Sequence, residues 1–309
     1  MEGTSGNHGR SDGSLTIDLE DWRHALNPRP GSDYRKRTPP DAEYLASATR
    51  AILVELDRVG AKATFFVLGE VALAAPDVVR EIARRGHEVA SHSPVHLPPR
   101  MIPRGDYISM IRRDISLLED LAGRRPIGFR TPYMAIRRSD GWLLRTLEEL
   151  GFLYDSSVAP TWTPYWGMPS APKSPYFPSS SDIARPQKEG RLLEIPLTVW
   201  PTVRGMPGLP IAGGFYMRAW PTGALSWMLR RNVSRGHPLV LYAHLGNLEG
   251  EKESIRDPTV RDRISQYAMA GRGKASFRSI IERFRFDTIE SVFASHLSRI
   301  APTGEPGKA

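Results

Sequence analysis

The chain has 309 residues, 40% of them hydrophobic, with a formal net charge of +8. It contains no cysteine, which excludes disulfides, iron–sulfur clusters and thiolate zinc sites, so any metal must be held by His, Asp or Glu. No stretch is long and apolar enough to span a bilayer, and the polar, Gly/Ser-rich start lacks the apolar region of a secretory signal.

These features lead us to expect a disordered leader over residues 1–13, one domain over 14–300 and a flexible tail over 301–309. A cytoplasmic location follows, with the inner membrane surface as a second setting. Basic residues cluster at Arg35-Lys36-Arg37, Arg112-Arg113, Arg124-Arg125 and Arg230-Arg231. They read as solvated helix faces, or as attraction to an anionic polymer or a lipid headgroup that would allow peripheral membrane association. No nucleic-acid-binding motif accompanies them, so no nucleic acid partner is expected.

In chain order, residues 14–20 (SLTIDLE) alternate like a strand. Residues 44–59 carry Leu45, Ile52, Leu53, Leu56 and Val59 at helical spacing, closed by Gly60. A compact apolar strand covers 63–68. A helix over 76–85 has Pro76 in its first turn and ends at Gly86. Further strands are predicted at 87–91, 127–130, 192–199 and 238–243, and further helices at 107–122, 139–150, 220–235 and 277–284. Such alternation implies a mainly parallel sheet with helices outside, able to close into a barrel of about seven units. Residues 159–186, dense in Pro, Ser, Trp and Tyr, read as a long loop over the barrel mouth. Gly213-Gly214-Phe215-Tyr216 reads as a tight backbone approach near that mouth.

In α/β barrels the chemistry sits where strands end and loops begin. Five predicted strand ends carry polar or ionisable groups: Asp18-Leu19-Glu20-Asp21, Ser91-His92, Arg130-Thr131-Pro132-Tyr133, Asp155-Ser156-Ser157 and Ala243-His244. His92 and His96 lie four apart and would face one cation if the segment between them made a helical turn. Two imidazoles, a carboxylate and water form the ligand set of a hydrolytic zinc or other divalent-metal site. Taken alone, the pair reads equally as structural histidines. His87 reads as structural and His237 as inert. His24 either lines the cleft or lies at the surface. Trp162, Tyr165, Trp166 and Tyr176 either stack on sugar rings or pack their own loop onto the barrel.

The stretches TIDLED, SHSPVH, FRTPY, YDSS and LYAH resemble, in order and approximate spacing, the five motifs of polysaccharide deacetylases, the NodB-homology group or carbohydrate esterase family 4. LTIDLEDW, PIAGGFYMR and the segment ISQYAMAGRGKASFRSIIERFRFDTI are similar to a subfamily associated with bacterial exopolysaccharide gene clusters. The resemblance implies an α/β fold, a distorted (β/α)7 barrel with a C-terminal extension over about residues 245–300. It also implies metal-dependent removal of N-acetyl groups from a bacterial polysaccharide or its glycan precursor. The implied cofactor is a divalent metal, Zn2+ first, with Co2+, Ni2+ or Mn2+ as alternatives; the implied partner is an N-acetylated glycan.

By the resemblance, Asp18 is the general base, His92 and His96 bind the metal, and Arg130 holds the base carboxylate. Pro132 and Tyr133 form the oxyanion turn, with the Tyr133 N–H as donor. Asp155 tunes the acid, His244. Many family members place two adjacent aspartates at the first motif, whereas Leu19 follows Asp18 here. The metal carboxylate is then Glu20 or Asp21, and Glu20 is preferred because it shares the strand face of Asp18. Leu245-Gly246-Asn247 also departs from the Pro-Trp-Glu of the similar subfamily. The alternatives are hydrolysis of a non-sugar amide or cyclic imide on the same barrel, and a non-catalytic glycan-binding protein.

Overall fold

The structure, a computed structural model, describes residues 11–25, 39–163, 166–202, 206–246 and 270–300. Strand β1 (Gly13–Leu19) is buried along its whole length and is the axis of the fold. It is followed by α1 (Ala42–Val59), β2 (Thr64–Val67), α2 (Gly69–Ala74), α3 (Pro76–Arg84), β3 (Glu88–Ser91), α4 (Arg104–Ala122), β4 (Gly128–Phe129), α5 (Gly141–Glu149) and β5 (Tyr154–Asp155). The second half contains β6 (Phe177–Ser179), β7 (Asp182–Gln187), β8 (Leu193–Glu194), β9 (Val199–Trp200), β10 (Leu209–Pro210), α6 (Gly214–Ala219), α7 (Thr222–Ser234) and β11 (Leu239–His244). The C-terminal segment adds α8 (Gly273–Arg283), β12 (Phe286–Asp287), α9 (Ile289–Val292) and α10 (Ala294–Leu297).

The main sheet runs β11-β1-β2-β3-β4-β5-β8, with β12 beside the start of β1. Every pairing in it is parallel, and the sheet curls into the distorted barrel expected of the fold class. Thr198 spans the gap between its two edges. Its N–H donates to the Val240 carbonyl at 3.1 Å, and its Oγ1 accepts from the Val240 N–H at 2.7 Å. Register at the β1–β11 seam needs a glycine, since a Cβ at Gly13 would lie 2.3 Å from the Leu239 backbone.

Helix α1 begins where the Asp41 side chain accepts from the Tyr44 N–H, and it ends at Gly60 with φ 67°. That left-handed conformation is the one glycine adopts without penalty. Leu45, Ala48, Ile52, Leu53 and Leu56 line its inner face, each leucine or isoleucine contributing about 1.5–3 kcal/mol by burial. The core has one cluster under β1, β2, β3 and β11, and a second under α4, α5 and β4.

Two expectations are corrected, and one helix was not among them. The stretch 159–186 is not wholly loop, because β6 and β7 pair as an antiparallel hairpin with a bulge at Pro178/Ser179. The single strand expected over 192–199 is two short strands. Pro196 lacks the N–H to continue a ladder, and β9 turns to pair antiparallel with β10. Helix α2 was not anticipated: six residues are too few for a periodic signal. Gly213 does make a close approach, its Cα facing the Tyr242 ring, and α6 starts at the next residue. Among the described residues, no helix is long and apolar enough to cross a membrane.

Candidate active site

Parallel pairing brings strand ends that are far apart in sequence to one rim. Asp18 is in register with His244 on β11 and with Phe66 on β2. Glu20 follows on the same face of the chain, and its Oε1 lies 3.0 Å from His92 Nε2 and 2.9 Å from His96 Nε2. These three donors lie within 4.8 Å of one another and are buried. Asp21 points elsewhere. Its Oδ2 accepts from the Asp41 N–H at 2.5 Å and so ties the start of α1 to the end of β1.

The two imidazoles meet without the helical turn expected between them. His92 leaves β3 with its N–H donating to the Val67 carbonyl, and Ser93 then takes φ 78°. The first N–H groups of α2 grip the bent segment: Gly69 N–H donates to the Ser93 carbonyl and Glu70 N–H to the Pro94 carbonyl. Glu70 Oε1 accepts from the His96 N–H at 3.0 Å and faces His24 Nε2 at 3.1 Å. His24 Nδ1 accepts from the Asp21 N–H at 2.9 Å, so its proton sits on Nε2, toward Glu70. Thus His24 is buried beside the site, with its ring centroid 5.3 Å from that of His96.

This donor set fits a divalent cation. His92 Nδ1 must donate to the Arg130 carbonyl, 2.9 Å away, because a carbonyl only accepts. The Nε2 lone pair of a neutral His92 then faces the Glu20 carboxylate, an arrangement that calls for a positive charge between them. Burial acts against the Glu20 carboxylate, yet His96, His244 and His92 hold it well below the usual range. Burial pushes the His96 imidazole down to about 4, which keeps its nitrogen available as a ligand. Burial also opposes protonation of His92, but Asp18 and Glu20 outweigh it and raise that group.

Beside the triad stand Asp18 and His244. Asp18 Oδ2 lies 3.9 Å from His244 Nε2, which is also 3.9 Å from Glu20 Oε1. His244 is 41% exposed while Asp18 is buried, so the imidazole faces the opening and the carboxylate the floor. Arg130 is fully buried. It donates from Nη1 to Asp18 Oδ1 and Thr16 Oγ1, both at 2.7 Å, from Nε to the Ser156 carbonyl at 2.9 Å and from Nη2 to Ser156 Oγ at 3.0 Å. Its guanidinium lies 4.0 Å from the centroid of Phe66.

The Pro132–Met134 turn closes the rim. Tyr133 and Met134 take φ 58° and 50°, a conformation rare for side chains of this size. The Tyr133 ring centroid lies 4.1 Å from that of His96, the rings tilted by 52°, and its hydroxyl donates to the His24 carbonyl at 3.2 Å. Beneath the turn, the Thr131 N–H donates to Ser157 Oγ, which donates to Asp155 Oδ1 at 2.6 Å. Asp155 is engaged by Ser157 and by Glu194. Burial raises Asp155 to about 6; burial and then the Asp155 charge raise Glu194 well above the carboxylic range.

Of the two readings the sequence left open for His24, the structure takes the one beside the cleft; sequence reasoning missed Glu70, Asp114 and Glu194. Asp114 and Glu194 left a signal. Asp114 falls on the buried stripe of α4 with Tyr107, Ile111 and Leu118, and Glu194 lies in the apolar run LLEIPL. Of the loop aromatics, Tyr176 is buried with its hydroxyl on the Ile183 carbonyl, Trp166 packs edge-on to Tyr216, and Trp162 is exposed. Tyr165, Asn247 and the Arg35–Arg37 cluster lie outside the described residues.

Residues 40–153 match the family model described as polysaccharide deacetylase, and residues 156–294 match one described as a domain of unknown function. A peptidoglycan-N-acetylglucosamine deacetylase of Bacillus cereus is 36% identical over 94 residues, 30% of this chain and 33% of the relative. The chain spans about a third of the length of the curated relatives it matches first. Among solved structures, a probable polysaccharide deacetylase from Pseudomonas aeruginosa superposes with TM-score 0.56 at 18% identity, covering 96% of this chain and 92% of that one. Puue allantoinase superposes with TM-score 0.55 at 16% identity, covering 97% and 94%. These two likenesses are of fold.

Proposed function

We propose that the rim site is a metal-dependent N-deacetylase centre acting on N-acetylated glycans, a reading supported by the match of residues 40–153 to the family model described as polysaccharide deacetylase. The single observation that carries this reading is the meeting of Glu20, His92 and His96 beside Asp18 and His244. A non-catalytic glycan binder would have no need of that constellation.

Glu20, His92 and His96 would hold the cation. Bound there, a divalent metal supplies Lewis-acid activation of water and of an acyl carbonyl. Asp18, pinned through Oδ1 by Arg130, leaves Oδ2, 3.9 Å from His244 Nε2, as the atom that takes the proton of the attacking water. His244 Nε2, on the open side, gives a proton to the departing amine, without which the C–N bond breaks poorly. Each of these two transfers contributes about 10²–10⁴-fold. The Tyr133 N–H, on its left-handed turn, is the oxyanion donor in this reading, and Pro132 fixes the entry to that turn. Asp155 acts at a distance: through Ser157 it holds the Thr131 N–H, and so the turn.

The Bacillus cereus relative is named for N-acetylglucosamine in peptidoglycan. For this chain we carry over the N-acetyl amide on a bacterial polysaccharide, the exopolysaccharide setting suggested by its subfamily resemblance, with Zn2+ as first metal. The test is acetate release from N-acetylglucosamine oligomers, with and without added zinc, beside a cyclic imide such as hydantoin. Zinc-dependent acetate release is expected. Hydantoin opening without acetate release would replace the glycan reading by the imide one.

A further inference from the structure

We propose that the surface formed by Trp200, Leu209, Trp227, Arg230, Arg231 and Arg235 docks this protein on an anionic lipid bilayer. Residues 195–248 contain five arginines and no aspartate or glutamate, in a chain that is otherwise mixed in charge. The fold turns part of this acid-free stretch into one surface. On α7, Trp227, Arg230, Arg231 and Ser234 follow the i, i+3, i+4, i+7 pattern of one helix face, and all four are exposed. Leu225, Met228 and Leu229 take the opposite, buried face.

Trp227 is 61% exposed, and its ring lies 5.0 Å from that of Trp200 on β9. Trp200 pairs across the hairpin with Leu209, 42% exposed, and Met206 nearby is 59% exposed. The Arg235 guanidinium sits 5.7 Å from the Trp200 centroid. None of Arg230, Arg231 or Arg235 has a carboxylate partner among the described residues. Indoles, aliphatic side chains and arginines in one patch form the composition of an interfacial surface, with the apolar groups at the acyl boundary and the cations among phosphates.

A glycan is the less fitting occupant. Sugar hydroxyls both donate and accept, and this acid-free surface has cationic donors but no carboxylate to accept from them. The amide of α7, Asn232, is buried and donates to the Val199 carbonyl. Leu209 and Met206 offer a sugar face no ring, and the two indoles are tilted 41° against each other instead of forming one flat platform.

The experiment is co-sedimentation of the full chain with vesicles of phosphatidylcholine, alone or mixed with phosphatidylglycerol. Binding is expected only to the mixed vesicles and is expected to weaken as salt rises. Arg230→Ala and Arg231→Ala should each weaken it about fivefold, and Trp227→Ala should weaken it further. All three side chains are exposed, and unchanged thermal melts would confirm that the variants fold. The inference is overturned by no vesicle binding, by equal binding to neutral vesicles, or by unchanged binding of the arginine variants. It is also overturned if soluble polygalacturonate binds this surface as tightly as the mixed vesicles, which would assign it to an anionic glycan. Acetate release from soluble oligomers is read separately, so failure here leaves the deacetylase reading standing.

Discussion

Arg130 donates from Nη1 to Asp18 Oδ1 at 2.7 Å, and both side chains are out of solvent. The guanidinium also serves Thr16 and the carbonyl and Oγ of Ser156, so it ties the carboxylate on β1 to the ends of β4 and β5. A lysine is a single point charge and cannot reproduce that fork. Arg130→Ala would leave the Asp18 carboxylate buried and unpaired, at a cost of about 3–5 kcal/mol in urea unfolding. Arg130→Lys is expected to keep more of the stability yet lower kcat, since the charge stays but the orientation of Oδ2 is lost. Equal kcat in the lysine variant and wild type would contradict this role.

Glu20 and Asp21 are adjacent yet separate in function. Glu20→Gln should lower bound metal, measured by elemental analysis after dialysis, from about one equivalent toward zero, because the cation loses the one carboxylate among its three proposed ligands. Asp21→Asn should keep the metal and cost stability at the start of α1 through its weakened bond from the Asp41 N–H. A reversal of the two results would move the metal carboxylate to Asp21.

Glu70 joins the loop after β1 to the loop after β3, since it accepts from the His96 N–H and faces His24. Glu70→Ala is expected to weaken zinc binding about 10–100-fold, the usual effect of losing a group that orients a ligand. Competition with a chromophoric chelator measures this without relying on turnover. Unchanged affinity would show that the His96 loop holds its shape through the α2 N–H groups alone.

Asp114 accepts from Ser91 through Oδ2, and its Oδ1 has no hydrogen-bond partner among the described residues. Burial raises this carboxyl to about 7. An aspartate is near 3.9 when unfolded, so between about 4 and 7 the folded state binds the extra proton. Stability therefore falls as pH rises through that window. Urea midpoints should drop from pH 4 to 7 more steeply in wild type than in Asp114→Asn, which has no proton to lose. Parallel profiles would remove the buried proton from Asp114.

Much of the site was legible because parallel alternation tells which strand ends share a rim. That placed Asp18, His92, Arg130, Asp155 and His244 on one side, and the strand period put Glu20 on the face of Asp18. The connecting geometry was not legible. Ser93 reverses the chain between the histidines through a left-handed residue, which no side-chain pattern signals. Glu70 acts across segments far apart in sequence from a helix too short to show periodicity. The β6–β7 hairpin was hidden by Pro and Ser, residues that read as loop yet are tolerated on the edges of a two-stranded ribbon.

The most direct test of the metal centre is anomalous scattering from zinc-soaked crystals, recorded on both sides of the zinc edge. The account predicts one peak at bonding distance, ~2.0–2.2 Å, from Glu20, His92 Nε2 and His96 Nε2 together. A peak held by other residues, or no peak while these three side chains keep their present contacts, would contradict it.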